Sequence, residues 1–120
     1  MENRIVEIKG ITGSGFSLVI KAYIEKEIKK NKVVIVTDTP SDFADFEKEN
    51  LTLITDDFEQ ISLIKNIVFK KIEPKVIYIQ DYQRLLFKLE KVFSKEMVEI
   101  FNQEVGTLKQ IYGITVITSN

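Results

Sequence analysis

The sequence contains no cysteine and no histidine. Disulfides and the usual zinc sites are thereby excluded, and a reducing compartment is expected. Arginine is nearly absent as well: Arg4 and Arg84 stand alone, and lysine supplies the rest of the 17 basic residues. Against 18 acidic residues the net charge is −1. No global field draws the chain to nucleic acid or to an acidic membrane, so any such contact must be local. No apolar run is long enough to span a bilayer, and Met1-Glu2-Asn3-Arg4-Ile5 lacks the basic-then-apolar pattern of a signal peptide. A soluble, cytoplasmic protein without a membrane partner is expected. What the chain does have is apolar residues, 44% of 120, enough for one domain with a real core. A composition rich in lysine, glutamate and isoleucine fits an AT-rich thermophile, although genome bias alone produces the same profile.

Strand-length apolar runs alternate with segments of helical period. Residues 4–9 read as a first strand ending at Gly10. Ser17 to Lys30 reads as a helix with Leu18, Ala22, Ile24 and Ile28 on its apolar face. Val33 to Thr37 is continuous and β-branched, as in a strand buried on both faces of a parallel sheet. A short helix is expected over Phe43 to Lys48, then a strand over Leu51 to Thr55. Asp57 is positioned to cap one helix carrying Phe58, Ile61, Ile64, Ile67, Val68 and Ile72. Val76 to Ile79 gives a fourth strand ending at Gln80-Asp81. Ser94 to Tyr112 gives a helix closed by Gly113, and Ile114 to Thr118 a last strand. Such alternation predicts a mostly parallel sheet with helices on both faces and chemistry outside the carboxyl ends of its strands.

Those ends carry the motifs. Gly10-Ile11-Thr12-Gly13-Ser14-Gly15-Phe16-Ser17 follows a strand and opens a helix, the context of a phosphate-binding loop. Glycines let backbone N–H groups converge on phosphate oxygens at a helix N-terminus. The spacing is that of a Walker A loop with Phe16 in place of the lysine; an ordinary glycine-rich strand-to-helix turn is the other reading. Val76-Ile77-Tyr78-Ile79-Gln80-Asp81 is an apolar strand ending in an acid, where a Walker B aspartate would hold Mg²⁺ through water, or where a buried strand merely meets solvent. Arg84, Lys88, Lys91 and Lys95 surround Phe87 and Phe93, a pattern able to bind a single strand by phosphate contact and stacking. Glu90 and Glu96 dilute the charge, and a solvated amphipathic surface explains the same residues.

Order and spacing together resemble the RecA/RadA recombinase family. Residues 33–39 (Val-Val-Ile-Val-Thr-Asp-Thr) are similar to its second strand. Residues 79–87 resemble the segment in which the Walker B acid leads into an apolar stretch. In the long helix and following strand, Leu108, Tyr112 and Ser119-Asn120 occupy places of the family pattern. The resemblance implies a three-layer α/β/α P-loop core of about five strands, ordered 3-2-4-1-5, with residues 1–120 forming a single truncated domain. It implies ATP with Mg²⁺ as ligand, Ser17 and Asp81 as the metal's side chains, and a first DNA loop near Arg84 to Lys95.

The departures shape the expected function. Phe16 replaces the loop lysine, Pro40 falls where the water-orienting acid belongs, and Asn120 stands just before the place of the γ-phosphate-sensing glutamine. A hydrogen bond to a charged group contributes roughly 1.5–3 kcal/mol, so losing the lysine weakens nucleotide binding about tenfold to a hundredfold. Phosphoryl transfer depends on positioning and charge stabilisation, which three losses largely remove. The resemblance thus implies a pseudo-ATPase. It acts as a non-catalytic accessory protein in recombination or repair, bound to a recombinase, to another paralogue or to a second copy. The alternative is a small KaiC-like nucleotide-binding protein with weak ATP affinity and little turnover. The accessory reading is supported by the Ile114–Thr118 strand, which would end the sheet as an unguarded edge open to pairing with a partner or a second copy.

Overall fold

Val33–Val36 (β2) and Val76–Ile79 (β4) are short runs of mainly β-branched residues, and every one of their side chains is buried. Alternation divides them between two cores. Val34, Val36, Ile77 and Ile79 face one way, and Val33, Ile35, Val76 and Tyr78 face the other. A computed structural model describes residues 6–10, 16–111 and 113–119. Around β2 and β4 it places β1 (Val6–Gly10), β3 (Leu51–Ile54) and β5 (Thr115–Ser119). The helices are α1 (Phe16–Glu27), α2 (Asp57–Ile61), α3 (Leu63–Phe69), α4 (Tyr82–Val92) and α5 (Lys95–Lys109), with a 3-10 turn at Pro40–Phe43. Leu63, Ile67, Leu85, Leu89, Phe101, Val105 and Leu108 from α3, α4 and α5 cover one face of the sheet. Ile20 and Ile24 of α1 and Ile28 just beyond it cover the other with Phe43 and Phe46. No helix among the described residues is long and apolar enough to cross a membrane.

All pairings are parallel, and the strand order is β1-β5-β4-β2-β3. This corrects the expected order 3-2-4-1-5 at one point: β5, not β1, neighbours β4. It also corrects the expected free edge. Val116 pairs with Ile77 on one side and Glu7 on the other, and Val116 and Ile117 are wholly buried. The physical reason lies in the strand itself. Val116 enters one core and Ile117 the other, so β5 has no solvent face. A strand with two apolar faces belongs inside a sheet, which is why no Lys or Pro guards it.

Several boundaries also differ from expectation. The buried stripe Ile20, Ile24, Ile28 replaces the one containing Leu18 and Ala22, and Leu18 is 75% exposed. The helix expected from Phe43 to Lys48 is a 3-10 turn that begins earlier, at Pro40. Proline's fixed φ suits a first helical position, and Asp42 and Ala44 donate to carbonyls three residues back. Lys48 Nζ then caps the Phe43 carbonyl at 2.6 Å. The single helix expected after Asp57 is two, broken at Ser62 (φ −94°, ψ 36°). Its cap is Asp56, whose Oδ1 accepts from the amides of Phe58 and Glu59. Asn66 Nδ2 donates to the Glu59 carbonyl at 2.7 Å across the break. The segment after Asp81 folds as α4, with Leu85 and Leu89 buried.

Candidate functional site

Parallel strands bring their carboxyl ends to one rim, and polar side chains gather there. Thr37 follows β2 and is almost fully buried. Its hydroxyl donates to Gln80 Oε1 beyond β4 at 2.5 Å and accepts from the Thr39 amide at 2.9 Å. Thr39 Oγ1 donates to Asp42 Oδ2 at 2.8 Å, and Gln80 Nε2 reaches the same oxygen at 3.4 Å. The Asp42 carboxyl is held below its usual range, chiefly by the Thr39 hydrogen bond, with smaller help from Gln80 and the charge of Lys21 against desolvation. Across β5, the Tyr78 and Ser119 hydroxyls lie 3.0 Å apart, and Ser119 Oγ accepts from the Asp81 amide at 3.3 Å. Burial pushes the Tyr78 phenol up, against the Ser119 hydrogen bond.

Lys88 on α4 closes the other half of the rim. Its Nζ lies 2.8 Å from Asp38 Oδ1 and 2.5 Å from Asp57 Oδ1. Burial alone would raise the Asp38 carboxyl. Hydrogen bonds from Lys88 and Gln60, with the charges of Lys88 and Arg84, outweigh it and hold the group below the usual value. Burial alone would lower Lys88, and its bonds to the two aspartates raise it instead. Gln60, fully buried, donates from Nε2 to Asp38 Oδ1 at 3.2 Å and ties α2 to the end of β2.

Lys88→Met is expected to lower stability by about 1–2 kcal/mol, since hydrogen bonds to charged groups contribute roughly 1.5–3 and this pair is partly solvated. The wild-type advantage has a definite pH window. Asp38 is depressed, so its contribution is present above the unfolded carboxylate value near ~4 and lost as pH falls through the folded one. Lys88 is raised, so its contribution holds below about 10.4 and is lost as pH rises through the folded value. Thermal melts of both proteins should differ most between about pH 5 and 9 and converge in acid; a constant gap down to pH 2 would contradict the pairing.

Beside Lys88 an open cleft of about 530 Å³ is lined by Asp38, Thr55, Arg84, Phe87, Lys88, Lys91 and Val92. Three of the four basic residues singled out in the sequence meet here, whereas Lys95 lies apart at the start of α5. Gly10 ends β1; Gly13, Ser14 and Gly15 lie outside the described residues, and Phe16 and Ser17 open α1. Asp81 stands at the N-cap position of α4 in the left-handed region (φ 51°, ψ 56°), which aspartate tolerates better than most residues. With β5 between β1 and β4, the strand before Ser17 and the strand before Asp81 lie about 10 Å apart rather than about 5 Å. Among the described residues no group of three acidic side chains is arranged to hold a metal ion.

No protein-family model matches the sequence, and no curated protein matches it. Among solved structures, the chain is similar to the pCW3 conjugation coupling protein TcpA, solved in monomer form with ATPγS. The TM-score is 0.58 at 13% identity, covering 95% of this chain and 41% of that one. The likeness is one of fold. It shows an α/β core of the same kind and no family. This chain spans less than half the length of that relative.

The Lys88–Asp38–Asp57 cluster had no signal in the sequence, because its members lie 50 and 31 positions apart and only folding brings them together. The Thr37–Gln80 bond, across 43 positions, was equally hidden.

Proposed function

We propose that this is a non-catalytic P-loop-type domain, a degenerate RecA/RadA-like paralogue that acts by binding, as an accessory protein in homologous recombination or DNA repair. One observation carries the non-catalytic part: the acids at the ends of β2 and β3 are already committed. Asp38 and Asp57 neutralise Lys88, and Asp42 accepts from Thr39 and Gln80. The position where the family orients water is Pro40, which opens the 3-10 turn. A carboxylate held by fixed donors has little basicity left for activating water. The recombinase partner is inferred from the resemblance alone, since the edge once expected at β5 is paired.

The wild-type chain is expected to hydrolyse ATP no faster than a buffer control. Phe16→Lys should tighten binding of a fluorescent ATP analogue about tenfold by restoring a charge-assisted bond, without restoring turnover. Wild-type turnover with Mg²⁺ that disappears in Asp81→Ala would refute the non-catalytic reading. Affinity purification from the native organism tests the partner: absence of any recombinase would remove that part. The KaiC-like alternative is favoured by one finding, that the similar structure was solved with ATPγS. Analogue binding by the wild type, with no recombinase recovered, would select it.

A further inference from the structure

We infer that the cleft beside α4 is a binding site for a nucleotide unit, a phosphate joined to a flat aromatic base, separate from the glycine-rich segment. Arg84, Phe87, Lys88 and Lys91 recur at helical spacing and form one stripe of α4. The opposite stripe, Leu85 and Leu89, supplies the packing, so the cleft-side residues are not needed for the core. Phe87 is 60% exposed, and Lys91 Nζ stands over one face of its ring, 4.6 Å from the centroid. Such a ring, with a cation over one face, offers the other for stacking next to a phosphate contact.

Charge decides which residues act. Lys88 is neutralised by Asp38 and Asp57 and serves as a fixed wall. Arg84 and Lys91 make no ion pair within 4 Å among the described residues, so two cations remain for phosphate oxygens. Arginine's planar fork suits that role. In the same lining, Thr55 offers a hydroxyl, and Asp38 its second carboxylate oxygen beside the one held by Lys88 and Gln60, to the exocyclic groups of a base. A volume of about 530 Å³ suits one nucleotide. Free mononucleotides and single strands both present this chemistry.

The test is fluorescence anisotropy of a fluorescein-labelled oligothymidylate with the full chain, with unlabelled AMP titrated as competitor and followed separately by amide chemical shifts. Binding should weaken about tenfold in Phe87→Ala and recover in Phe87→Trp, because stacking contributes on that scale. The melting temperature should stay put, because the ring is solvent-exposed. Arg84→Ala and Lys91→Ala should each flatten the salt dependence by about one phosphate contact, whereas Lys26→Ala, on α1, should change nothing. Competition by AMP with shifts on α4 identifies a free nucleotide as sufficient; oligonucleotide binding without AMP binding identifies a strand. Either supports the site. No binding of either probe, equal loss in Lys26→Ala, wild-type affinity in Phe87→Ala, or equally tight binding of polyglutamate overturns it.

Discussion

Val116→Lys is expected to leave no cooperatively folding protein, seen as loss of the thermal transition and accumulation in the insoluble fraction. Val116 is fully buried on β5, between β4 and β1, and packs in the core that includes Phe101, Val105 and Leu108 of α5. An ammonium placed there has no partner among those side chains. The effective penalty for burying an ion is several kcal/mol, and the whole stability of a domain is about 5–15. The same substitution on an exposed edge would be nearly harmless to folding and would only disrupt association. Differential scanning calorimetry separates the two: a variant melting within a few degrees of wild type would show that β5 is not interior.

The second large effect is expected for Phe43→Ala, which should lower stability by about 3–5 kcal/mol. Its ring is wholly buried, edge-on to Phe46 at 5.5 Å and to Tyr78 at 6.4 Å. Edge-to-face pairs add roughly 0.5–1.5 kcal/mol beyond area burial. At about 4 °C per kcal/mol, the melting temperature should fall by roughly 10–20 °C. Phe43 also ends the 3-10 turn that holds Asp42 against Thr39 and Gln80. Amide exchange should therefore accelerate first over residues 39–46. A loss below about 1 kcal/mol would mean that the ring is not buried as described.

What could be read in advance was whatever depends on neighbours along the chain. Val33–Val36 and Val76–Ile79 announce buried strands because every residue is apolar, and Ser94 announces α5, where it accepts from the Met97 amide. The helix α4 was obscured because its aromatic and basic residues suggested a surface segment, although Leu85 and Leu89 already sit one turn apart. The break at Ser62 was invisible because apolar periodicity runs straight through it; the break depends on hydrogen bonds such as that of Asn66 to Glu59. Strand order was the hardest. Periodicity says that a strand is buried and is silent on which strand lies beside it, and the order taken from resemblance misplaced β1 and β5. At the rim, Gly10 and the basic stripe were legible as residue types. The pairing that neutralises Lys88 was not.

The placement of β1 at the rim of the sheet has a kinetic consequence. Its register sets Val6 opposite Thr115 and Gly10 opposite Ser119, so its sole partner comes from the far end of the described chain. Joining β2 to β3 aligns Val33 with Leu51 and closes a short loop. On an unfolded chain, closing the β1–β5 loop costs roughly 1.5 kcal/mol more, because loop entropy grows with the logarithm of length. Local pairs therefore form early and the long closure follows. During synthesis the disparity becomes absolute, since β1 emerges before the other four strands and has no partner in this sheet until residues 115–119 are made. The strand that precedes the other four is among the last to find its place.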